Sequence, residues 1–149
     1  MTIWYDHRLL VNMELQIEKY GFVINGLRHV SGRESMEILK QGGCILDLRP
    51  DFELVRLLDV EHILYYSYKE IGEKYQELPH DTWLILMDAV GLRSKEVAFF
   101  LMGKGYNKIL NLAGGVVEWE RDGLPVILDK TRRLTGSCVC QLRRREIQK

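Results

Sequence analysis

Apolar residues recur along this chain at two spacings, and the spacing separates helices from strands. Leu10, Met13 and Ile17 stand at offsets of three and seven, which predicts an amphipathic helix over residues 6–20, stopped by Gly21. Ser31-Gly32-Arg33-Glu34 has the capping-box pattern, in which serine and glutamate side chains each satisfy an orphan backbone N–H. The helix it opens carries Met36, Ile38 and Leu39 and stops at Gly42-Gly43. Cys44-Ile45-Leu46-Asp47-Leu48 is a short apolar run bounded by Gly and Pro, the signature of a strand covered on both faces. A helix is expected over 51–58 and a strand over 63–66. Ser67-Tyr68-Lys69-Glu70 repeats the capping-box pattern and predicts a helix running towards Leu78, closed by Pro79. Residues 83–87 form the clearest strand. After the loop 88–92 comes a helix of about a dozen residues that sets Val97, Phe100 and Leu101 towards a core. A strand over 109–112 and a helix over 115–122, before Gly123, complete the pattern.

Strand and helix thus alternate four times from residue 31 onwards, which predicts an α/β domain with a mostly parallel central sheet and helices on both faces. Three regions are expected: an N-terminal helical extension over 1–30, the α/β domain over 31–128, and a C-terminal tail over 129–149. Ligands of such sheets sit beyond the carboxyl ends of the strands, so the end of strand 83–87 is where chemistry is expected.

Composition narrows the function classes. With 21 Lys+Arg against 21 Asp+Glu, the chain carries no bulk field to hold nucleic acid or an acidic membrane. Arg143-Arg144-Arg145 is a short basic run at the terminus, expected to be a solvated end. No window approaches the roughly 18 apolar residues of a membrane span. The first residues lack a basic start and an apolar core, so no secretory signal is expected. Three cysteines are an odd number, and Cys138 and Cys140 are only two apart, which is no disulfide framework; a cytoplasmic setting is the expectation. Cys-x-Cys offers two ligands with no other pair at ligand spacing, so neither a metal nor another cofactor is expected.

Met87-Asp88-Ala89-Val90-Gly91-Leu92-Arg93-Ser94 joins the strongest strand to a helix. A tight strand-to-helix loop turns backbone N–H groups inward and adds the positive end of the helix dipole, making an anion cradle. Gly91 permits the turn, and Arg93 is expected to add a fixed positive charge. Several further motifs follow in order: Asp47-Leu48-Arg49, His62-Ile63, Gly91-Leu92-Arg93-Ser94, Gly105-Tyr106, and Asn111-Leu112-Ala113-Gly114-Gly115-Val116-Val117-Glu118-Trp119. Together they resemble the rhodanese family of sulfurtransferases over roughly residues 30–128. The resemblance implies an active-site loop of the form Cys-Arg-x-Gly-x-Arg, whose cysteine thiolate carries sulfur as a persulfide. The equivalents here are Asp88, Ala89, Val90, Gly91, Leu92 and Arg93, with Asp88 at the cysteine position and Ala89 at the first arginine. It also implies structural roles for Asp47 and Arg49, as a buried polar pair, and for Gly114, Gly115 and Trp119.

Persulfide transfer needs a polarizable sulfur that can attack and leave again, and a carboxylate cannot form that bond. The cradle would instead stabilise an ionised Asp88, which fills it and opposes a second anion. The expected function is therefore a non-catalytic rhodanese-like domain with a binding or regulatory role in sulfur metabolism or signalling. Its expected partner is a protein or a small sulfur-containing anion, not nucleic acid or membrane. Two alternatives stand beside it: carboxylate catalysis by Asp88, and a sulfurtransferase whose thiol has moved to Cys138 or Cys140. His62 is expected to be structural, and His7, His29 and His80 have no partner at useful spacing. Cys44, inside an apolar run, is expected in the core.

Overall fold

The computed structural model describes residues 17–129. In chain order its elements are β1 (Phe22–Ile24), β2 (Leu27–Val30), α1 (Gly32–Lys40), β3 (Cys44–Asp47), a 3-10 turn (Asp51–Glu53), β4 (Arg56–Leu58) and β5 (Ile63–Tyr65). There follow α2 (Ile71–Lys74), continued by a 3-10 turn (Tyr75–Glu77), then β6 (Leu84–Met87), α3 (Leu92–Gly103), β7 (Ile109–Leu112), α4 (Gly115–Arg121) and β8 (Val126–Leu128). Six strands form one sheet in the order β1-β2-β7-β6-β3-β5, parallel except where β1 pairs antiparallel with β2.

Strand side chains alternate between two apolar layers, as the uninterrupted hydrophobic runs require. Ile45, Ile85, Met87, Leu110 and Leu112 meet Ile38 and Leu39 of α1 and Val116 and Trp119 of α4 on one face. Leu46, Leu84, Leu86 and Ile109 meet Ile71 of α2 and Val97, Ala98 and Leu101 of α3 on the other. The α/β class and the mostly parallel sheet read from the alternation are the architecture found. β6 lies between β3 and β7 with all four residues buried, so its C-terminal end opens at the middle of the sheet.

The first capping box forms in full. The Ser31 hydroxyl accepts from the Glu34 N–H, and Glu34 Oε2 accepts from the Ser31 N–H at 2.8 Å. Glu34 Oε1 also takes the Gly21 N–H at 3.0 Å, tying the incoming chain to α1. The second box does not form. Ser67 accepts from the Lys69 N–H instead, and α2 has Glu70 at its start with no side-chain cap.

Two other expectations are corrected. Residues 51–58 are not a helix: a 3-10 turn gives way to β4, because a partner strand is available. β8 pairs antiparallel with β4, so the segment after α4 returns to close a two-stranded sheet. Within the N-terminal extension, residues 22–30 form the β1–β2 hairpin, and β2 joins the main sheet beside β7. The helix expected over 6–20 lies largely outside the described residues; Ile17 near its end is helical and buried in the first layer. No described helix is long and apolar enough to cross a membrane.

Candidate functional site

Asp88 follows directly on β6 and is 4% exposed. The chain turns at once into α3, whose N-cap is Gly91 at φ +92°, a left-handed conformation that favours glycine. The turn aims two backbone donors at the Asp88 carboxylate. Oδ1 accepts from the Gly91 N–H at 2.5 Å and Oδ2 from the Arg93 N–H at 2.9 Å. Asp88 thereby caps α3 from outside the helix and sits at the positive end of its dipole.

A second helix start fixes the loop's backbone. Val116 N–H donates to the Asp88 carbonyl at 3.0 Å, and Val117 N–H to the Ala89 carbonyl at 3.2 Å. Gly115, at φ +59°, packs so tightly here that a methyl group would run into the Asp88 and Ala89 carbonyls. Gly114 is the N-cap of α4, and a methyl there would strike the Glu118 side chain. Ala89 is half-buried, while Val90 and Leu92 are exposed and give the loop an apolar outer rim.

Arg93 does not place its guanidinium on Asp88. Its Nη1 lies 3.4 Å from Glu53 Oε1, and the guanidinium sits 4.3 Å from the centre of the Tyr68 ring. Glu53 is buried at 6% exposure, whereas the Arg93 side chain is half exposed. The positive charge expected to serve the cradle is therefore answered by Glu53, and Arg93 contributes its backbone N–H alone. Neither Glu53 nor Tyr68 carried a sequence signal for this role. Glu53 falls in the segment read as a helix, and Tyr68 in the capping box that does not form.

Asp47 and Arg49 form a buried pair at the end of β3. Arg49 Nη2 meets Asp47 Oδ2 at 2.8 Å, Nε meets Oδ1 at 3.0 Å, and the Arg49 N–H adds a third bond to Oδ1. Arg49 Nη2 also donates to the Arg56 carbonyl at 2.8 Å, linking β3 to β4. Trp119 is fully buried, and its indole N–H donates to the Pro125 carbonyl at 3.0 Å.

Sequence reading missed one histidine. His29 is 5% exposed on β2, directly across from Asn111 of β7, and its Nδ1 lies 3.0 Å from Asn111 Nδ2. Asn111 Oδ1 is 2.5 Å from Ser94 Oγ, which is 3.4 Å from Asp88 Oδ1. His29, without a partner by spacing, therefore stands at the far end of a polar chain that begins in the loop. Burial pushes the His29 pKa below 6.5, helped by the nearby Lys95 charge. His62 is exposed, and His80 stacks on Tyr106 with ring centres 3.9 Å apart. Cys44 is half-buried against the second layer, and burial raises its thiol pKa. Cys138, Cys140 and His7 lie outside the described residues. Among those residues, no group of three His, Cys, Asp or Glu side chains is arranged to hold a metal ion.

A mostly parallel sheet whose central strand turns through a tight loop into a helix, with the loop's N–H groups on the Asp88 carboxylate, defines the class as an α/β domain with its site at the strand ends. Comparison with known proteins makes the class specific. The model of the rhodanese-like domain matches residues 32–122, and the chain belongs to the rhodanese-like family. It is 30% identical over 83 residues to a sulfurtransferase of Allochromatium vinosum, covering 56% of this chain and 77% of the relative. To the thiosulfate sulfurtransferase GlpE of Actinobacillus pleuropneumoniae it is 27% identical over 100 residues, covering 65% of this chain and 90% of the relative. Among solved structures, a rhodanese-related protein of Thermoplasma volcanium superposes with a TM-score of 0.62 at 28% identity, covering 68% of this chain and 99% of that one.

Proposed function

We infer that this chain is a rhodanese-like module whose active-site loop is occupied by its own Asp88, that it does not transfer sulfur through that loop, and that it acts by binding. The observation that carries the reading is the pair of hydrogen bonds from the Gly91 and Arg93 N–H groups to the two Asp88 carboxylate oxygens. A sulfur anion in the same nest would have to compete for donors already taken and sit against a like charge. A carboxylate also lacks the chemistry of a persulfide carrier. Loss of the loop's first arginine, replaced by Ala89, and the turning of Arg93 to Glu53 remove the two side-chain charges that would draw a donor such as thiosulfate. What remains for a partner is the exposed apolar rim of Val90 and Leu92, which suits a protein surface, in a cytoplasmic setting, better than a free anion.

Thiosulfate-to-cyanide sulfur transfer tests the reading. Wild type is expected at background, and so are Cys138→Ser and Cys140→Ser. The double variant Asp88→Cys with Ala89→Arg, which restores the family loop, is expected to gain activity. Turnover by wild type that disappears in either serine variant would replace this reading with the relocated-thiol one.

A further inference from the structure

Asp88, Ser94, Asn111 and His29 come from the end of β6, from α3, from β7 and from β2, and each is more than nine-tenths buried. The heavy-atom separations along the chain are 3.4, 2.5 and 3.0 Å. A serine hydroxyl has one hydrogen to give, and an amide has one accepting and one donating end. With His29 neutral and its Nδ1 unprotonated, the Asn111 amide donates to Nδ1, and Asn111 Oδ1 takes the Ser94 hydrogen. Asp88 is then left with its two backbone donors.

Protonation changes the direction of every link. An imidazolium carries hydrogen on both nitrogens, so Nδ1–H would face the Asn111 N–H, donor against donor. Turning the amide over relieves this: Oδ1 accepts from His29, and Nδ2 donates to Ser94 Oγ. The Ser94 hydrogen is released towards Asp88 Oδ1. The two ends of an amide are nearly the same size, so the turn needs no repacking. A hydrogen bond to an ionised carboxylate is stronger than one to an amide oxygen, which offsets the loss of the short Ser94–Asn111 bond once protonation has put hydrogen on both His29 nitrogens. The proton taken up stays on His29, and Ser94 keeps its hydrogen.

We propose that Ser94, Asn111 and His29 form a proton-linked relay, in which the charge on His29, on the strand between β1 and β7, decides whether Ser94 donates to the Asp88 carboxylate in the loop. The inference deepens the self-filled nest and rests on it, because an ionised Asp88 is the acceptor that makes reversal favourable. The groups around His29 fit. Phe22 of β1 stacks on its ring at 5.3 Å, and Asn111 approaches from β7; neither titrates. The Lys95 charge on α3 adds to burial in opposing protonation of the ring. Ser94, Asn111 and His29 act through Asp88 and are positioning residues.

The test is a titration from about pH 8 to pH 5, following the Asp88 carboxyl carbon and the His29 imidazole together by NMR. In the folded wild type the Asp88 resonance is expected to step at the His29 midpoint. Ser94→Ala keeps both charges and cuts the chain, so the step should vanish while His29 still titrates. Asn111→Leu cuts it one link further on and serves if Ser94→Ala does not fold. No step in wild type, or a step that survives either cut, overturns the relay. Failure here is separate from failure of the proposed function: sulfur transfer by wild type would sink that reading whatever the resonances do, and a missing step with background turnover would sink the relay alone.

Discussion

Glu53 Oε1 lies 3.4 Å from the Arg93 guanidinium, across 40 positions of sequence, and this contact decides where the loop's arginine points. Glu53 is buried and Arg93 half exposed, so the carboxylate is the fixed partner. Removing it by Glu53→Gln leaves the guanidinium free to swing to the loop. In an Asp88→Ala background, which vacates the nest, this change is expected to tighten sulfate binding several-fold, most clearly at low salt where charge is least screened. Calorimetric titration of Asp88→Ala with and without Glu53→Gln checks it, and equal affinities would mean that Arg93 does not reach the nest.

Asp88→Ala alone removes the acceptor for two backbone N–H groups at the start of α3. Loss of such a cap costs about 0.5–2 kcal/mol. Urea unfolding should show that loss, and added sulfate or phosphate should recover part of it in the variant and little in wild type. Strong stabilisation of wild type by either anion would contradict a nest already filled.

The Asp47–Arg49 pair is bidentate and buried, with side-chain exposures of 0% and 2%. Truncating one member leaves the other charge without its partner in the core, at a cost of about 3–5 kcal/mol. Asp47→Ala is therefore expected to be among the most destabilising single changes in the domain. The readout is a lowered urea midpoint with an unchanged slope.

Gly115 sits at φ +59° against the Asp88 and Ala89 carbonyls. Gly115→Ala combines an unfavourable backbone conformation with a steric overlap, so it should destabilise by more than about 1 kcal/mol. A thermal melt gives the loss. Gly103, in α3 with open space around it, is the control: Gly103→Ala should be neutral or stabilising.

Stability should also depend on pH through His29. Its folded pKa lies below 6.5 because burial disfavours the imidazolium. The unfolded chain therefore binds the proton first, so the contribution is complete above pH 6.5 and is lost as pH falls towards the folded value. His29→Gln is expected to flatten that decline in unfolding free energy. An unchanged curve would mean that His29 is not the group responsible.

How far the sequence reached can be judged at particular residues. Ser31 and Glu34 announced a helix start because a capping box is closed within four residues, and local geometry alone satisfies it. Ser67 and Glu70 carry the same letters, yet the chain leaves β5 in a direction that gives Ser67 the Lys69 N–H instead. Residues 56–58 have no strand signal of their own; pairing with β8, some 70 residues later in the chain, makes them one. The loop around Asp88 was legible because its order of residues is contiguous, and so were its backbone donors.

The sequence by itself determined the alternation of elements, the two-sided burial of the central strands and the position of an acidic side chain at the end of β6. These follow from periodicity and from neighbours a few residues apart. The tertiary structure alone decided that Arg93 turns to Glu53, that His29 reaches the loop through Asn111 and Ser94, and that β2 enters the main sheet. Such contacts join residues dozens of positions apart, and their geometry exists only once the sheet has set which strands are neighbours.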